Sequence, residues 1–109
     1  MTDLDPVIHE PARLRIMTTL SAVAWADFPS VCRTLGLTRG NVSAHIARLE
    51  AKRYVQVSKS IVGRMPHTKY KLTARGRKAL KDYWTALDEI RRLGEPLKRT
   101  RTRSSRSDK

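Results

Sequence analysis

Gly36-Leu37-Thr38 constrains this chain more than any other three residues. Before it, Val31, Cys32 and Leu35 recur at helical spacing. After it, Val42, Ile46 and Leu49 do so again, at i, i+4 and i+7. Between the two stripes there is room only for one stop and one start. Gly36 supplies the glycine on which helices end, and Thr38 an oxygen that caps the first free amides of the next helix. Leu37 is a buried spacer between them.

The rest of the chain punctuates itself as clearly. Residues 1–10 read as a short irregular arm. Pro11 suits the first turn of a helix over 11–24, carried by Leu14, Met17, Leu20 and Val23 with Ile16 and Ala24 beside them. Asp27 caps the helix that holds Val31, and Trp25 and Phe28 flank that cap. Past Lys52 the period changes to two. Val55 and Val57 alternate with Gln56 and Ser58, and Thr68, Tyr70 and Leu72 with Lys69 and Lys71. That is a two-stranded hairpin, its loop at 61–66 holding Gly63, Arg64 and Pro66. Thr73 caps a last helix over 73–92. Residues 93–109 form a basic tail, and from Lys98 onward it has no apolar residue and is expected to be disordered.

The expected fold is therefore mainly α with a small β-hairpin: a three-helix core, a two-stranded wing and a C-terminal helix, one domain over 11–92. A short glycine-bearing turn between two helices is the helix-turn-helix unit, whose second helix enters the DNA major groove.

Charge points the same way. The chain carries net +13, but unevenly. Residues 30–81 hold thirteen basic side chains and one acid, Glu50, whereas 1–29 and 82–97 are each net −2. A soluble protein that is merely basic needs no such segregation, and double-stranded DNA is the expected partner of the middle block. No apolar run spans a bilayer and no secretory leader is evident, so a cytoplasmic location is expected and no membrane partner. The lone Cys32 suits a reducing compartment and a place in the core. His9, His45 and His67 lack metal-site spacing, so no metal or cofactor is expected. No nucleophile–base pair or phosphate loop suggests an enzyme.

The third helix, 38–52, carries the candidate site. Opposite Val42 lie Gly40, Ala44, Ala47 and Ala51, with Asn41, Ser43 and Arg48 at their edges. Solvent-facing helix surfaces usually carry long charged side chains, whereas this ridge is small with polar edges. Alanine is also simply a good helix former. Even so, a bare ridge lets a helix approach base edges, where Ala44 can touch a thymine methyl, Asn41 pair with adenine, and Arg39 or Arg48 hold guanine or phosphate. Thr38 begins this face. His45 lies nearer the apolar side and is expected to pack or cap. The hairpin, 59–69, adds Lys59, Arg64, His67 and Lys69 at its tip and edge, placed for the backbone or minor groove, with Arg64 at the tip. In the last helix Leu80, Tyr83, Leu87 and Ile90, with Trp84 alongside, form a stripe expected to join two copies into a homodimer.

The stretch from Thr38 to Glu50, Thr-Arg-Gly-Asn-Val-Ser-Ala-His-Ile-Ala-Arg-Leu-Glu, followed by Tyr54-Val55, resembles the recognition helix and first strand of MarR- and ArsR-like winged-helix regulators. The opening from Asp5 to Ile16, the wing from Lys59 to Arg64, and the run from Tyr70 to Gly76 resemble the short prokaryotic winged helix branch. The likeness covers residues 4–90. It implies a homodimeric transcriptional regulator, most often a repressor, on a roughly palindromic operator. The sequence departs from that pattern at Arg53, where the family has glycine. A left-handed arginine there carries strain of about 1 kcal/mol unless the turn differs or a phosphate contact compensates. A sequence-independent architectural DNA binder and a protein-docking winged helix remain alternatives. The bare ridge and its cations argue against the second.

Overall fold

The computed structural model describes residues 3–96. Four helices, α1 (Pro11–Ser21), α2 (Phe28–Leu35), α3 (Arg39–Ala51) and α4 (Ala74–Arg92), enclose a sheet of β1 (Ala26–Asp27), β2 (Val55–Val62) and β3 (Met65–Leu72). This is the winged helix α+β arrangement.

Local chemistry sets the helix starts. Asp27 accepts from the Ser30 amide, Thr38 from that of Asn41 and Thr73 from that of Gly76, at 2.8, 3.1 and 2.9 Å. The bond to Ser30 also holds the Asp27 carboxyl below its ordinary pKa. Glu10 caps α1 through the Arg13 amide at 2.8 Å. That helix ends at Ser21, three residues short of the expectation from the apolar stripe, and Val23 is left exposed.

The sheet has three strands rather than two, in the order β1-β3-β2, all antiparallel. Two residues cannot show an alternating pattern, so Ala26 and Asp27, paired with Tyr70 and Lys69, leave no trace in the sequence. The hairpin is also tighter than expected. Its ladder continues through Ile61–Pro66 to Val62–Met65, leaving Gly63-Arg64 as a two-residue turn. Gly63 has φ +65° and Arg64 does not share the positive sign, the pattern of a type II′ turn, which suits strand twist. Proline is tolerated in β3 because β1 pairs only with Lys69 and Tyr70, so the β3 edge is open at Pro66.

Residues 3–10 have no helix or strand, yet they pack into the domain. Ile8 is fully buried and belongs to the same core cluster as Ile16, Met17, Leu20, Leu49 and Tyr83. Asp5 accepts from the Val7 amide at 2.9 Å and from the Tyr54 hydroxyl. Burial, helped by that bond to Asp5, pushes the Tyr54 phenol up to about 12. His9 Nδ1 lies 2.8 Å from the Tyr83 hydroxyl.

Both ends of the turn around α3 close with the same bonds. Leu37 N–H donates to Cys32 O and Gly36 N–H to Arg33 O. After α3, Tyr54 N–H donates to Leu49 O and Arg53 N–H to Glu50 O. These are two Schellman motifs, each with one left-handed residue: Gly36 at φ +64° and Arg53 at φ +62°. The Arg53 carbonyl is held further by the Thr73 hydroxyl at 2.6 Å. Arg53 thus takes the strained conformation where the family uses glycine, and its side chain is exposed. Arg53→Gly is expected to raise stability by about 1 kcal/mol in urea melts. A loss would mean that the arginine side chain makes a folded-state contact worth more than the strain.

Candidate nucleic-acid interface

Helix α3 is divided cleanly. Val42, Ile46 and Leu49 are buried in the core, and Arg39, Gly40, Asn41, Ser43, Ala44, Ala47, Arg48 and Ala51 are all exposed. A Cβ placed on Gly40 would meet nothing within 4 Å, so the ridge is open as well as bare. Thr38 is exposed, but its hydroxyl is spent on the cap. Arg39 lays its guanidinium 4.8 Å from the centre of the Phe28 ring, which fixes its stem at the front of the helix. Arg48 stands in the last turn of α3.

The inner flank of α3 is anchored by a polar cluster. The buried Arg13 donates to Val7 O at 2.6 Å and to His45 Nδ1 at 3.2 Å, with Glu10 Oε1 3.8 Å from the same nitrogen. Arginine can only donate, so in the Arg13–His45 contact the acceptor is His45 Nδ1. A buried arginine on a helix read as amphipathic carried no signal in the sequence. Its role comes from the folded-back residues 3–10.

The wing stands beside the ridge. Lys59 and Thr68 form a cross-strand pair, and with Ser43, Ala47 and Glu50 of α3 they line an open cleft of about 260 Å³. Glu50, the one acid of the basic block, therefore lies between helix and wing. Ser60 and His67 form the next pair outward, and His67 is half-buried. Lys69 is not at the tip. Its ammonium lies 4.7 Å from the Trp25 ring, with that of Lys71 at 5.4 Å, so both gather at the wing's base near β1. The end of the hairpin is apolar except for Arg64: Ile61, Val62 and Met65 are exposed around it. Alternation could not reveal this, because no core lies beneath that part of the ladder.

The stripe on α4 is used differently from the expectation. Leu80 and Tyr83 are buried in their own domain and Leu87 is half-buried against the same core, so the first two offer no surface to a second copy. Further along, the stripe outruns the domain. Ile90 is 43% exposed, as is Trp84 on the neighbouring flank, and Leu93 is 72% exposed. A helix of 19 residues is about 28 Å long, more than one small domain covers.

Among the described residues no His, Cys, Asp and Glu cluster could hold a metal, and no helix is long and apolar enough to cross a membrane. Cys32 is half-buried against the core. The basic tail from residue 97 lies outside the described residues.

A helix-turn-helix whose second helix offers a bare ridge beside a β-hairpin defines the winged helix class of DNA-binding domain. The chain belongs to the winged helix DNA-binding domain family, whose model matches residues 12–91. The resemblance to winged-helix regulators is thereby borne out, over residues 12–90 of the 4–90 it was read from. The chain is 30% identical over 77 residues to an uncharacterized protein of Methanocaldococcus jannaschii, covering 71% of this chain and 84% of that protein. It is similar to the structure of a transcriptional regulator homologue from Pyrococcus horikoshii OT3, with TM-score 0.75 and 32% identity over 82% of this chain and 89% of the other. It is also similar to the transcriptional repressor CouR, solved bound to a 23-mer DNA duplex. There the TM-score is 0.67 and the identity 29%, over 87% of this chain and 68% of that one.

Proposed function

We propose that this winged helix protein is a cytoplasmic, non-enzymatic transcriptional regulator that binds a roughly palindromic operator as a homodimer and represses from it. The observation that carries the reading is the exposed, open ridge of α3 beside a wing free of acids. With α3 in the major groove, Asn41 pairs with adenine and Arg48 with guanine or phosphate. Gly40, Ser43 and Ala44 permit the approach. Arg39 and the N-terminal end of α3 meet the backbone, and Lys59, Arg64, His67 and, from the base of the wing, Lys69 hold it on the other side. The similarity to a repressor solved on DNA supports this placement. Ile90, Trp84 and Leu93 supply the dimer surface with Leu87 at its margin, and half-sites then lie about 34 Å apart or a multiple of that.

The test begins with operator fragments selected from genomic DNA. Asn41→Ala and Arg48→Ala are expected to weaken operator binding by about 1–3 kcal/mol each and relax base preference. Arg64→Ala is expected to weaken all duplexes evenly and flatten the salt dependence by about one unit. Equal losses from all three on operator and random DNA would favour a sequence-independent architectural protein. For the assembly, Ile90→Lys is expected to turn a sedimenting dimer into a monomer that no longer requires two half-sites. A wild-type chain that sediments as a monomer at working concentration would remove the dimer from the proposal.

A further inference from the structure

The end of the wing is more apolar than folding requires. Past the Val57–Tyr70 pair no core lies beneath the hairpin, yet Ile61, Val62 and Met65 stand there 69%, 61% and 70% exposed. The register sets Ile61 opposite Pro66 on one face of the ribbon and Val62 opposite Met65 on the other, with Gly63 and Arg64 closing the end. A hairpin tip in water is served as well by threonine, which is β-branched like isoleucine and valine and exposes less apolar surface.

We propose that this tip is an apolar wedge that enters the DNA minor groove, opens it and bends the duplex. The inference rests on the DNA-binding reading above and adds the mode of contact. Three observations carry it. The tip continues the surface of the ridge, because Lys59 and Thr68, on the same face as Ile61 and Pro66, line one cleft with Ser43 and Ala47. Its electrostatic surroundings favour a polyanion: no acid occurs from Ala51 to Lys81, Glu50 of α3 is the one acid lining the shared cleft, Arg64 sits at the apex and Lys59 two residues below Ile61. A second copy of the same wing would be repelled. Reach and thickness complete the case. Five residues separate the last core pair from the turn, about 17 Å of projection, whereas the minor groove is roughly 7.5 Å deep and 6 Å wide. A ribbon with side chains on both faces is about 10 Å thick, so its entry must widen the groove. Isoleucine, methionine and proline are the residue types that wedge between base steps and kink DNA away from themselves. Such a kink turns the flanking duplex toward the major-groove side, where α3 lies.

The experiment uses the full-length protein and the triple variant Ile61→Thr, Val62→Thr, Met65→Thr, which leaves every charge in place and changes only exposed positions. Bending is read by energy transfer between the ends of a duplex holding the selected operator, and affinity by anisotropy across a salt series. Wild type is expected to bend the duplex by roughly 20–90°. The triple variant should lose most of that bend and bind about tenfold more weakly, with an unchanged salt slope. Arg64→Ala should keep the bend and lose about one unit of slope. If the triple variant bends and binds as wild type does while Asn41→Ala still loses the operator, the wedge is wrong and the DNA reading stands. If the triple variant alters sedimentation but neither bend nor affinity, the tip is a self-association surface and the wedge is equally wrong. If wild type binds no duplex at physiological salt, both readings fall together.

Discussion

Gly76→Ala is expected to destabilise the protein by about 3 kcal/mol or more and to lower its melting temperature by more than about 12 °C. Gly76 is buried in the first turn of α4, where its amide donates to the Thr73 cap. A Cβ built there falls 2.1 Å from the Tyr54 carbonyl oxygen and 2.9 Å from the Tyr54 carbonyl carbon and Cα. These are backbone atoms, and the chain around them is already fixed. Tyr54 O accepts from the Thr73 amide, Tyr54 N–H closes the Schellman motif of α3, and the Tyr54 ring is buried. Relief therefore requires α4 to move outward as a body, drawing Leu80 and Tyr83 from the core. Helix propensity alone would favour alanine by about 1 kcal/mol, so the steric term decides the sign. Gly40→Ala is the internal control. It lies in α3 with open space around it and should be neutral or slightly stabilising by urea melt. Equal stability of Gly76→Ala and wild type would mean that α4 docks further from Tyr54 than it does in this structure.

The contrast between these two glycines shows what a sequence can carry. Caps and stops are written in a few adjacent residues, so Asp27, Gly36, Thr38 and Thr73 were legible. The division of α3 was also legible, because a period of 3.6 in one helix needs no partner to be seen. Arg53 stood out because the family pattern has glycine there, and its φ of +62° is the strain that the departure implies. What escaped depends on distant contacts. Ile8 is buried because residues 3–10 fold back toward Tyr54 and Tyr83, and nothing near Ile8 announces it. Leu80 and Tyr83 share one stripe with Ile90, and only the edge of the folded domain decides where the stripe passes from core to surface. Lys69 reads as a cation of the tip and edge until Trp25, next to β1, is found beneath its ammonium. Most of the candidate site was thus legible on α3, and the wing was misread because its outer half has no core to impose alternation.

Ala44→Glu is expected to weaken duplex binding at least about a hundredfold on operator and random DNA alike, while stability stays within about 0.5 kcal/mol. Ala44 lies exposed in the middle of the ridge, so glutamate meets no protein atom that must yield. In a groove the same carboxylate would face phosphates on both walls and lose its water. Like charges brought together in this way cost several kcal/mol, which converts to two decades or more in affinity. Ala44→Lys separates the two parts of the effect. It adds comparable bulk with the opposite sign, so affinity for random duplex should hold or rise while preference for the operator falls, because the helix can no longer seat against base edges. Anisotropy on both duplexes, with a melt of each variant, reads all of this. If both substitutions leave operator affinity at the wild-type level, the ridge of α3 does not lie in a groove. The small residues there would then be mere helix formers, and the basic wing would have to bind DNA without α3.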